Sequence, residues 1–522
     1  MSNSQAPEVT TTAGTVRGIQ RDASAAFLGI PFAEPPVGEL RFAAPVPHHA
    51  WEGVRDATEY GATPQRKALS EVTLIPEPSI PGDSTLNVNV FTPRPGETDA
   101  KLPVLVYIHG GGFVAGSPAS PWYDGAAFNR DGVVTVSVSY RLGFDGFGWI
   151  EDAPHNRGIL DWILALEWVR DNIGAFGGDP SRVTIAGQSA GGGAVLTLLA
   201  VPRAAGLFHG AISLSGPASD VPLESAETLG RRLAQLGGVA PTRAGLATLD
   251  EARILELQGQ VSSIGAAASD DDAGTGADAD DNAGDTAADA NPLAGIADFI
   301  SGGLTLAPVV DGELLPESAA SALEHGVGAD KALMLGTVDN EFNMMMMGGA
   351  DALAEVDPVA ALGAFRLPPE VATAYVEAHS GIGTAGILGQ AVTDLMFRRF
   401  NRALAEARAA AGAPAWLYRF SWPSPSMGGA VHCTDVPFFF DCLGAERVDV
   451  IAGPTPPTSL AADVHGAAVR FITTSNPGWP AYATPDRDVR VYDVPSSVLP
   501  DGYGDVAVLG EQRLGESAAV AG

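Results

Sequence analysis

Ser189 is the residue whose surroundings first indicate chemistry, because glycines stand two positions before and two after it in the segment Gly-Gln-Ser-Ala-Gly, 187–191. A β-branched run, 183–187, leads into this segment, and residues that form helix readily follow it to 200. A strand that reverses sharply into a helix crowds backbone against backbone, and glycines relieve that crowding. The pattern therefore predicts a nucleophilic serine at a strand tip, beside the N-terminus of a helix.

A serine nucleophile needs hydrogen-bond donors for the oxyanion that forms when it attacks a carbonyl carbon. The segment His-Gly-Gly-Gly-Phe, 109–113, closes the apolar run 104–108. Three successive glycines allow backbone N–H groups to converge on one oxygen, although the same residues could form a flexible turn and nothing more. We interpret this segment as an oxyanion loop, and we expect His109 to pack or to hydrogen-bond within it.

A base must take the serine proton, and the sequence offers nine histidines. His432 lies late in the chain, in a loop that glycines precede and that follows the apolar run 416–422. When the nucleophile sits on a strand–turn–helix of this kind, the chain order is serine, acid, histidine. His432 fits that order best.

The third group should be a carboxylate between 189 and 432, in a loop that follows a strand. The run 332–342 supplies both Asp339 and Glu341, and position alone does not separate them. Asp435 is a further candidate, but it lies three residues after the histidine and could reach the ring only through a tight local turn.

Elements that could position these residues follow from the apolar runs along the chain. Their continuity favours strands that helices cover on both faces. A helix predicted over 158–178 leads into 183–187, which is the strand–helix–strand order of a mostly parallel α/β sheet. The first hundred residues, rich in Pro and Gly, predict a smaller antiparallel meander. The strand-like runs are 104–110, 133–140, 183–187, 211–216, 332–337, 416–422 and 489–494.

Long segments of the sequence resemble the type-B carboxylesterases, an α/β-hydrolase branch that includes cholinesterases and bacterial para-nitrobenzyl esterases. These segments occur in the family's order and span nearly the whole chain. They are FLGIPFAEPPVGELRFAAP (27–45), LNVNVFTP (86–93), PVLVYIHGGGFVAGS (103–117), SVSYRLGFDGFG (137–148), NIGAFGGDPSRVTIAGQSAGG (172–192), GTVDNE (336–341), GAVHCTDVPFFF (429–440) and GWPAY (478–482).

The resemblance implies an α/β-hydrolase fold, with a mostly parallel central sheet flanked by helices, an N-terminal antiparallel meander and large inserted loops. It also implies a role for each site residue. The triad would be Ser189 as nucleophile, His432 as base and Glu341 as acid, and the oxyanion donors would be the N–H groups of Gly111, Gly112 and Ala190.

The activity that the resemblance implies is hydrolysis of small-molecule carboxylic esters, aryl or alkyl, through an acyl-enzyme intermediate, with no metal or organic cofactor. Two alternatives stay open. An amidase or carbamate hydrolase would use the same residues, because only the leaving group differs. A non-catalytic binding protein also exists among cholinesterase relatives, but those relatives lack a working serine.

Three departures from the family pattern stand out. Gln188 occupies the position before the serine, where the family commonly has glutamate, so one buried charge is absent. Phe342 follows Glu341 where glycine is usual. The family's early loop cysteines are missing, with Thr85 at one of their positions and none in 61–65.

Composition limits the partners and the location of the protein. With 62 acidic and 30 basic residues, the net charge of -32 disfavours binding to nucleic acid or to an anionic membrane surface. Nothing indicates an obligate protein partner. The only cysteines, Cys433 and Cys442, favour two free thiols over a single local disulfide, and the N-terminus resembles no signal peptide, so we expect a cytoplasmic protein. An Ala- and Arg-rich chain with three lysines indicates a GC-rich bacterial genome or mild salt adaptation.

The segment 262–292 differs from the rest of the chain, because it carries eight aspartates and little apolar surface. We expect a disordered acidic insertion within a single domain, 1–522. Asp278, Asp280 and Asn282 have the spacing of the first ligands of a calcium loop. Ala283 stands where such a loop requires glycine, so a solvated linker is the favoured interpretation.

Overall fold

Apolar, β-branched runs form the strands that carry the candidate residues. The structure is a computed structural model that describes residues 6–67, 73–217, 219–268, 303–483, 485–510 and Leu514. Its strands are β1 (Glu8–Thr10), β2 (Thr15–Arg17), β3 (Ile19–Gln20), β4 (Ala25–Pro31), β5 (Val54–Asp56), β6 (Asn87–Thr92), β7 (Leu102–Ile108), β8 (Val134–Val138), β9 (Gly178–Gln188), β10 (Gly210–Leu214), β11 (Val221–Pro222), β12 (Val309–Val310), β13 (Ala332–Val338), β14 (Ala415–Phe420), β15 (Val489–Tyr492) and β16 (Ser497–Leu499).

Most of these strands join one mixed sheet, in the order β16-β15-β14-β13-β10-β9-β7-β8-β6-β4-β3. The strands from β15 to β8 are parallel to one another. At one side β3, β4, β6 and β8 pair antiparallel, as the meander predicted for the first hundred residues requires. All seven strand-like runs of the sequence lie on strands of this sheet, which confirms the predicted α/β architecture.

Helices cover both faces of the sheet. They are α1 (Ala126–Arg130), α2 (Gly143–Phe147), α3 (Arg157–Asn172), α4 (Ala190–Ala200), α5 (Leu223–Gly237), α6 (Arg243–Leu246), α7 (Glu251–Ala268), α8 (Ala319–Glu324), α9 (Asn343–Met347), α10 (Ala350–Leu353), α11 (Pro358–Ala364), α12 (Pro369–Ala378), α13 (Gly383–Thr393), α14 (Arg399–Ala410), α15 (Val436–Phe439), α16 (Val448–Ala452) and α17 (Thr458–Thr474). A π-helical turn, Asp394–Arg398, joins α13 to α14.

The side chains of β7 show why the sequences of the central strands are continuously apolar. Val104 and Val106 belong to the core cluster that contains residues of α3 and α4, whereas Leu105 and Tyr107 belong to the cluster that contains residues of α17. Both faces of the strand are therefore buried, which excludes the polar alternation of a half-exposed strand.

The register of the parallel strands brings their carboxyl ends to one edge. Ile108 of β7 pairs with Gly187 of β9, and Leu214 of β10 pairs with Gln188. The same Leu214 pairs on its other side with Gly336 of β13. The loops that follow β7, β9 and β13 therefore start side by side, and this edge is where parallel sheets place their functional residues.

Helix α7 ends at Ala268, so it includes the first residues of the segment 262–292 that was predicted as an acidic insertion. The rest of the insertion, with the calcium-like positions Asp278, Asp280 and Asn282, lies outside the described residues. Within the described ranges, no helix combines the length and the apolar character that a membrane crossing requires.

Candidate active site

The turn between β9 and α4 holds Ser189 in a conformation that L-residues rarely adopt, with φ 58° and ψ -128°. Its glycines permit that turn: a Cβ at Gly187 would lie 2.3 Å from the carbonyl oxygen of Gly191, and one at Gly191 would lie 2.1 Å from that of Ile108. The Ser189 N–H donates to Leu214 O at 2.9 Å. The half-buried serine thus stands at the N-terminus of α4, as the glycine spacing predicts.

The loop after β7 approaches the same turn. A Cβ at Gly110 would lie 3.1 Å from the Cβ of Ser189, so the two segments touch. Gly111 and Gly112 have φ values of 111° and 59°, in the region that favours glycine. In the described part of the chain, neither of their N–H groups donates a hydrogen bond. The N–H of Ala190, the first residue of α4, is the third donor that the sequence predicts.

His432 and Glu341 are joined by their side chains and by their backbones. The imidazole Nδ1 lies 2.5 Å from Glu341 Oε2, and the N–H of His432 donates to the carbonyl of Glu341 at 2.9 Å. The other carboxylate oxygen, Oε1, accepts from the N–H of Val338 at 3.1 Å. Glu341 is fully buried and His432 is 5% exposed, so the pair is held rigidly out of water.

Of the three candidate acids, the structure brings only Glu341 into contact with the histidine. Asp339 turns away and forms an ion pair with Arg419 of β14, at 2.6 and 3.2 Å. Asp435 is buried and accepts from the hydroxyl of Tyr418 at 2.9 Å. Burial, together with the charge of Glu341, raises the pKa of Asp435 to about 7. Chain position could not separate these carboxylates, because the partners that distinguish Asp339 and Glu341, Arg419 and His432, lie about 80 to 90 residues away.

The second ring nitrogen of His432 has a partner that the sequence did not indicate. His432 Nε2 lies 3.1 Å from Gln188 Nε2, and the Cys433 thiol donates to Gln188 Oε1 at 3.4 Å. Among the hydrogen bonds of the described residues, none joins Ser189 Oγ to the imidazole. Hydrogen bonds between catalytic groups often tighten only when substrate binds. The lack of a bond between Ser189 and His432 here therefore does not exclude that the two act together.

Two aromatic rings pack on the imidazole of His432. Phe342 lies with its centroid 4.6 Å away, and Phe397 lies at 5.6 Å. The sequence singled out Phe342 only as a departure from the family pattern. It gave no sign of Phe397, which is distant in the chain and reaches the site from the π-helical turn Asp394–Arg398.

His109 takes the packing position expected for it. Its ring stacks on Tyr140 with centroids 4.5 Å apart, and its Nδ1 lies 2.9 Å from Gly110 O. Burial lowers the pKa of His109 to about 4, so the ring is neutral near pH 7. It packs against the loop that follows β7 and has no contact with His432 in the described structure.

No group of His, Cys, Asp and Glu in the described ranges has an arrangement suited to a metal ion. Both cysteines are free thiols, Cys433 buried and Cys442 half-buried. A cavity of about 290 Å³ lies elsewhere, between the loop around Arg41 and helices α2 and α7, and the candidate residues do not line it.

Comparison with known proteins identifies the family of the chain. The model of the carboxylesterase family matches residues 5–489. A para-nitrobenzyl esterase of Bacillus subtilis is 33% identical over 93% of this chain and 94% of its own length. A solved para-nitrobenzyl esterase structure superposes with a TM-score of 0.75 at 30% identity, covering 97% of this chain and 100% of its own. The carboxylesterase EST55 of Geobacillus stearothermophilus gives 0.79 at 29% identity, covering 96% and 99%.

Proposed function

The chain belongs to the carboxylesterase family and is a carboxylic-ester hydrolase, and from that premise we propose that Ser189, His432 and Glu341 are its catalytic triad. One observation carries the proposal. The strained turn presents Ser189 at the sheet edge where Glu341 and His432 form a buried pair with 2.5 Å between Oε2 and Nδ1. Such a serine, histidine and carboxylate together perform acyl transfer on many folds.

The first half of the reaction forms an acyl-enzyme. Ser189 Oγ attacks the ester carbonyl carbon while its proton passes to His432 Nε2, which gives a tetrahedral intermediate with an anionic oxygen. The N–H groups of Gly111, Gly112 and Ala190 bind that oxygen. When the intermediate collapses, the C–O bond to the alcohol breaks, and the alcohol leaves with the proton from His432.

The second half of the reaction uses water in place of the alcohol. His432 takes a proton from water as the water oxygen attacks the acyl carbon. The collapse of the second intermediate releases the carboxylic acid and returns the proton to Ser189 Oγ. Glu341 stays ionised throughout. It fixes the Nδ1–H tautomer and stabilises the imidazolium, and the Val338 N–H fixes the carboxylate in turn.

A fluorophosphonate probe and a short aryl ester test the assignment. Ser189→Ala should lose both labelling and turnover without a change in melting temperature. Ser181→Ala is the matched control, because this exposed serine lies on the same strand and bonds only to Asp179. Substantial turnover by Ser189→Ala would refute the nucleophile. Turnover of an aryl ester well above that of the matched anilide would support esterase over amidase chemistry.

Further proposals concern the chain as a whole. We propose that residues 1–522 form a single domain, that the substrate is a small-molecule ester, and that the protein is cytoplasmic and bacterial. The acidic surface supports the proposal that neither nucleic acid nor an anionic membrane is a partner.

A further inference from the structure

Gln188 is the last residue of β9 and immediately precedes the proposed nucleophile. It is 1% exposed, and its side-chain amide lies between two groups of the histidine loop. Gln188 Nε2 lies 3.1 Å from His432 Nε2, and Oε1 lies 3.4 Å from Cys433 Sγ. The amide therefore contacts the ring atom that must accept the serine proton.

The protonation of the imidazole determines which way this amide points. His432 Nδ1 faces the Glu341 carboxylate at 2.5 Å, so Nδ1 carries a hydrogen. In the neutral ring Nε2 then holds a lone pair, which requires a donor, and the amide N–H₂ of Gln188 supplies it. An imidazolium would carry a hydrogen on Nε2 as well, and the amide would have to turn so that Oε1 accepted it.

Cys433 allows either orientation of the amide. Its thiol donates weakly to Gln188 Oε1 when the nitrogen faces the histidine, and its sulfur accepts weakly from the N–H₂ group after a turn. Burial raises the pKa of Cys433 well above its ordinary value, so the thiol stays protonated near pH 7. The amide is thus held by a partner that imposes no charge.

We propose that Gln188 is a positioning residue that keeps His432 neutral, with its ring aligned, until Ser189 donates to Nε2 in its place. The inference rests on the proposed triad and adds the donor that occupies Nε2 beforehand. A hydrogen bond donated to Nε2 stabilises the neutral ring relative to the imidazolium, so removal of the donor should favour protonation.

Other groups near the ring are the same in wild-type protein and in Gln188 variants. Glu341 bonds to Nδ1, and Asp435 and Cys433 lie on the histidine's own loop. The aromatic rings of Phe342 and Phe397 cover the face of the imidazole. Glu77, on the segment that contacts Gly116, acts electrostatically on Cys433. A shift measured in a Gln188 variant therefore reports the change at Gln188.

The rate of fluorophosphonate labelling against pH measures the base without a substrate. The acid limb of this profile is the side on which labelling slows as pH falls. We expect Gln188→Met to raise the apparent pKa of that limb by roughly 0.5–1 unit, the equivalent of one hydrogen bond. Gln188→Glu should raise it further, by about 1–3 units, because a carboxylate close to the ring favours the imidazolium. Gln390→Met is the matched control, because this buried amide donates to Asp394 instead, and its profile should stay that of wild type.

The order wild type, Gln188→Met, Gln188→Glu in rising pKa supports the proposal. A Gln188→Met profile that coincides with wild type overturns it, and so does a lowered pKa in Gln188→Glu. Because a buried carboxylate can destabilise the fold, melting temperatures are measured alongside, and Gln188→Met carries the test if Gln188→Glu does not fold. Ser189→Ala distinguishes failure of the proposed triad from failure of the proposed role of Gln188. Residual labelling of Ser189→Ala refutes the triad. If Ser189→Ala is not labelled but the Gln188 variants keep the wild-type profile, only the role of Gln188 is refuted.

Discussion

The imidazole of His432 packs on the ring of Phe342, with the centroids 4.6 Å apart and the planes inclined by 30°. Phe397 approaches the same imidazole at 5.6 Å. Aromatic faces carry partial negative charge, so they favour a cation above them. The proposed base is therefore packed against groups that stabilise its protonated form, while Gln188 opposes protonation at the edge of the ring.

Phe342→Leu removes the nearer aromatic face and keeps most of the apolar volume. A cation–π contact contributes about 0.5–2 kcal/mol, so we expect kcat to fall by roughly 3- to 30-fold. The pKa of the acid limb should also fall, because the imidazolium loses a stabilising partner. That shift is opposite in sign to the one expected for Gln188→Met. Initial rates on a short aryl ester across pH measure both quantities.

Two further variants control the Phe342 experiment. Phe342→Tyr keeps the aromatic face and should retain the wild-type profile. Phe365→Leu alters a buried phenylalanine of the core cluster against which Phe342 also packs, but no ring contact among the described residues joins Phe365 to His432, so this variant should lower stability and leave the pH profile unchanged. An acid limb that stays in place in Phe342→Leu would show that the ring only fills space.

The identity of the acid can be decided with three single variants. Glu341→Gln keeps the shape of the side chain but removes the charge that steadies the imidazolium, and we expect kcat to fall at least about 100-fold. Asp339→Asn removes the charge that pairs with Arg419, and Asp435→Asn changes the group that accepts from Tyr418. Both should stay within about tenfold of wild type. If Asp339→Asn or Asp435→Asn lost most of its kcat while Glu341→Gln kept nearly all of it, the assignment of Glu341 as the acid would be wrong.

Local patterns in the sequence predicted the parts of the site that lie within one segment. The turn around Ser189 depends on glycines two residues away, and the positive φ of Gly111 and Gly112 follows from the run of glycines itself. Strand positions were predictable because both faces of each central strand are buried. These features need only short-range information.

Contacts between distant segments could not be read from the sequence. Gln188 and His432 are 244 positions apart, and Asp339 meets Arg419 across 80. Only the packing of the sheet and its loops determines such pairings.

Close packing between β7 and α4 gives a further expectation. A Cβ at Gly191 would lie 2.1 Å from the carbonyl oxygen of Ile108, and backbone atoms cannot move aside as a flexible side chain can. We expect Gly191→Ala to lower the free energy of unfolding by about 1–3 kcal/mol, in urea titrations, and to reduce kcat as the turn shifts.

Gly206→Ala is the matched control, because a Cβ there meets nothing within 4 Å. It should leave both stability and activity within error of wild type. If Gly191→Ala were as stable and as active as Gly206→Ala, the close approach of α4 to β7 would not be what requires glycine.

Asp435 gives a pH-dependent expectation for stability. Its pKa is raised from 3.8 to about 7 in the folded protein, first by burial and then by the charge of Glu341. Between pH 3.8 and about 7, the Asp435 carboxyl is ionised in the unfolded chain but still protonated in the folded protein. The folded state therefore loses stability as pH rises from about 4 to 7, and the loss levels off above that range.

Asp435→Asn removes this titration and keeps an oxygen that can accept from Tyr418. Its free energy of unfolding, relative to wild type, should therefore rise between pH 5.5 and 7 and stay level to pH 8. Over the whole titration the rise is at most about 4 kcal/mol, since one pKa unit corresponds to about 1.4 kcal/mol. Asp330→Asn is the control, because Lys331 lowers the pKa of that exposed carboxyl from 3.8, so it titrates below this pH range and the difference from wild type should stay flat. A difference between Asp435→Asn and wild type that is flat across this range, measured by urea unfolding at each pH, would mean that Asp435 is already ionised in the folded protein at pH 5.5.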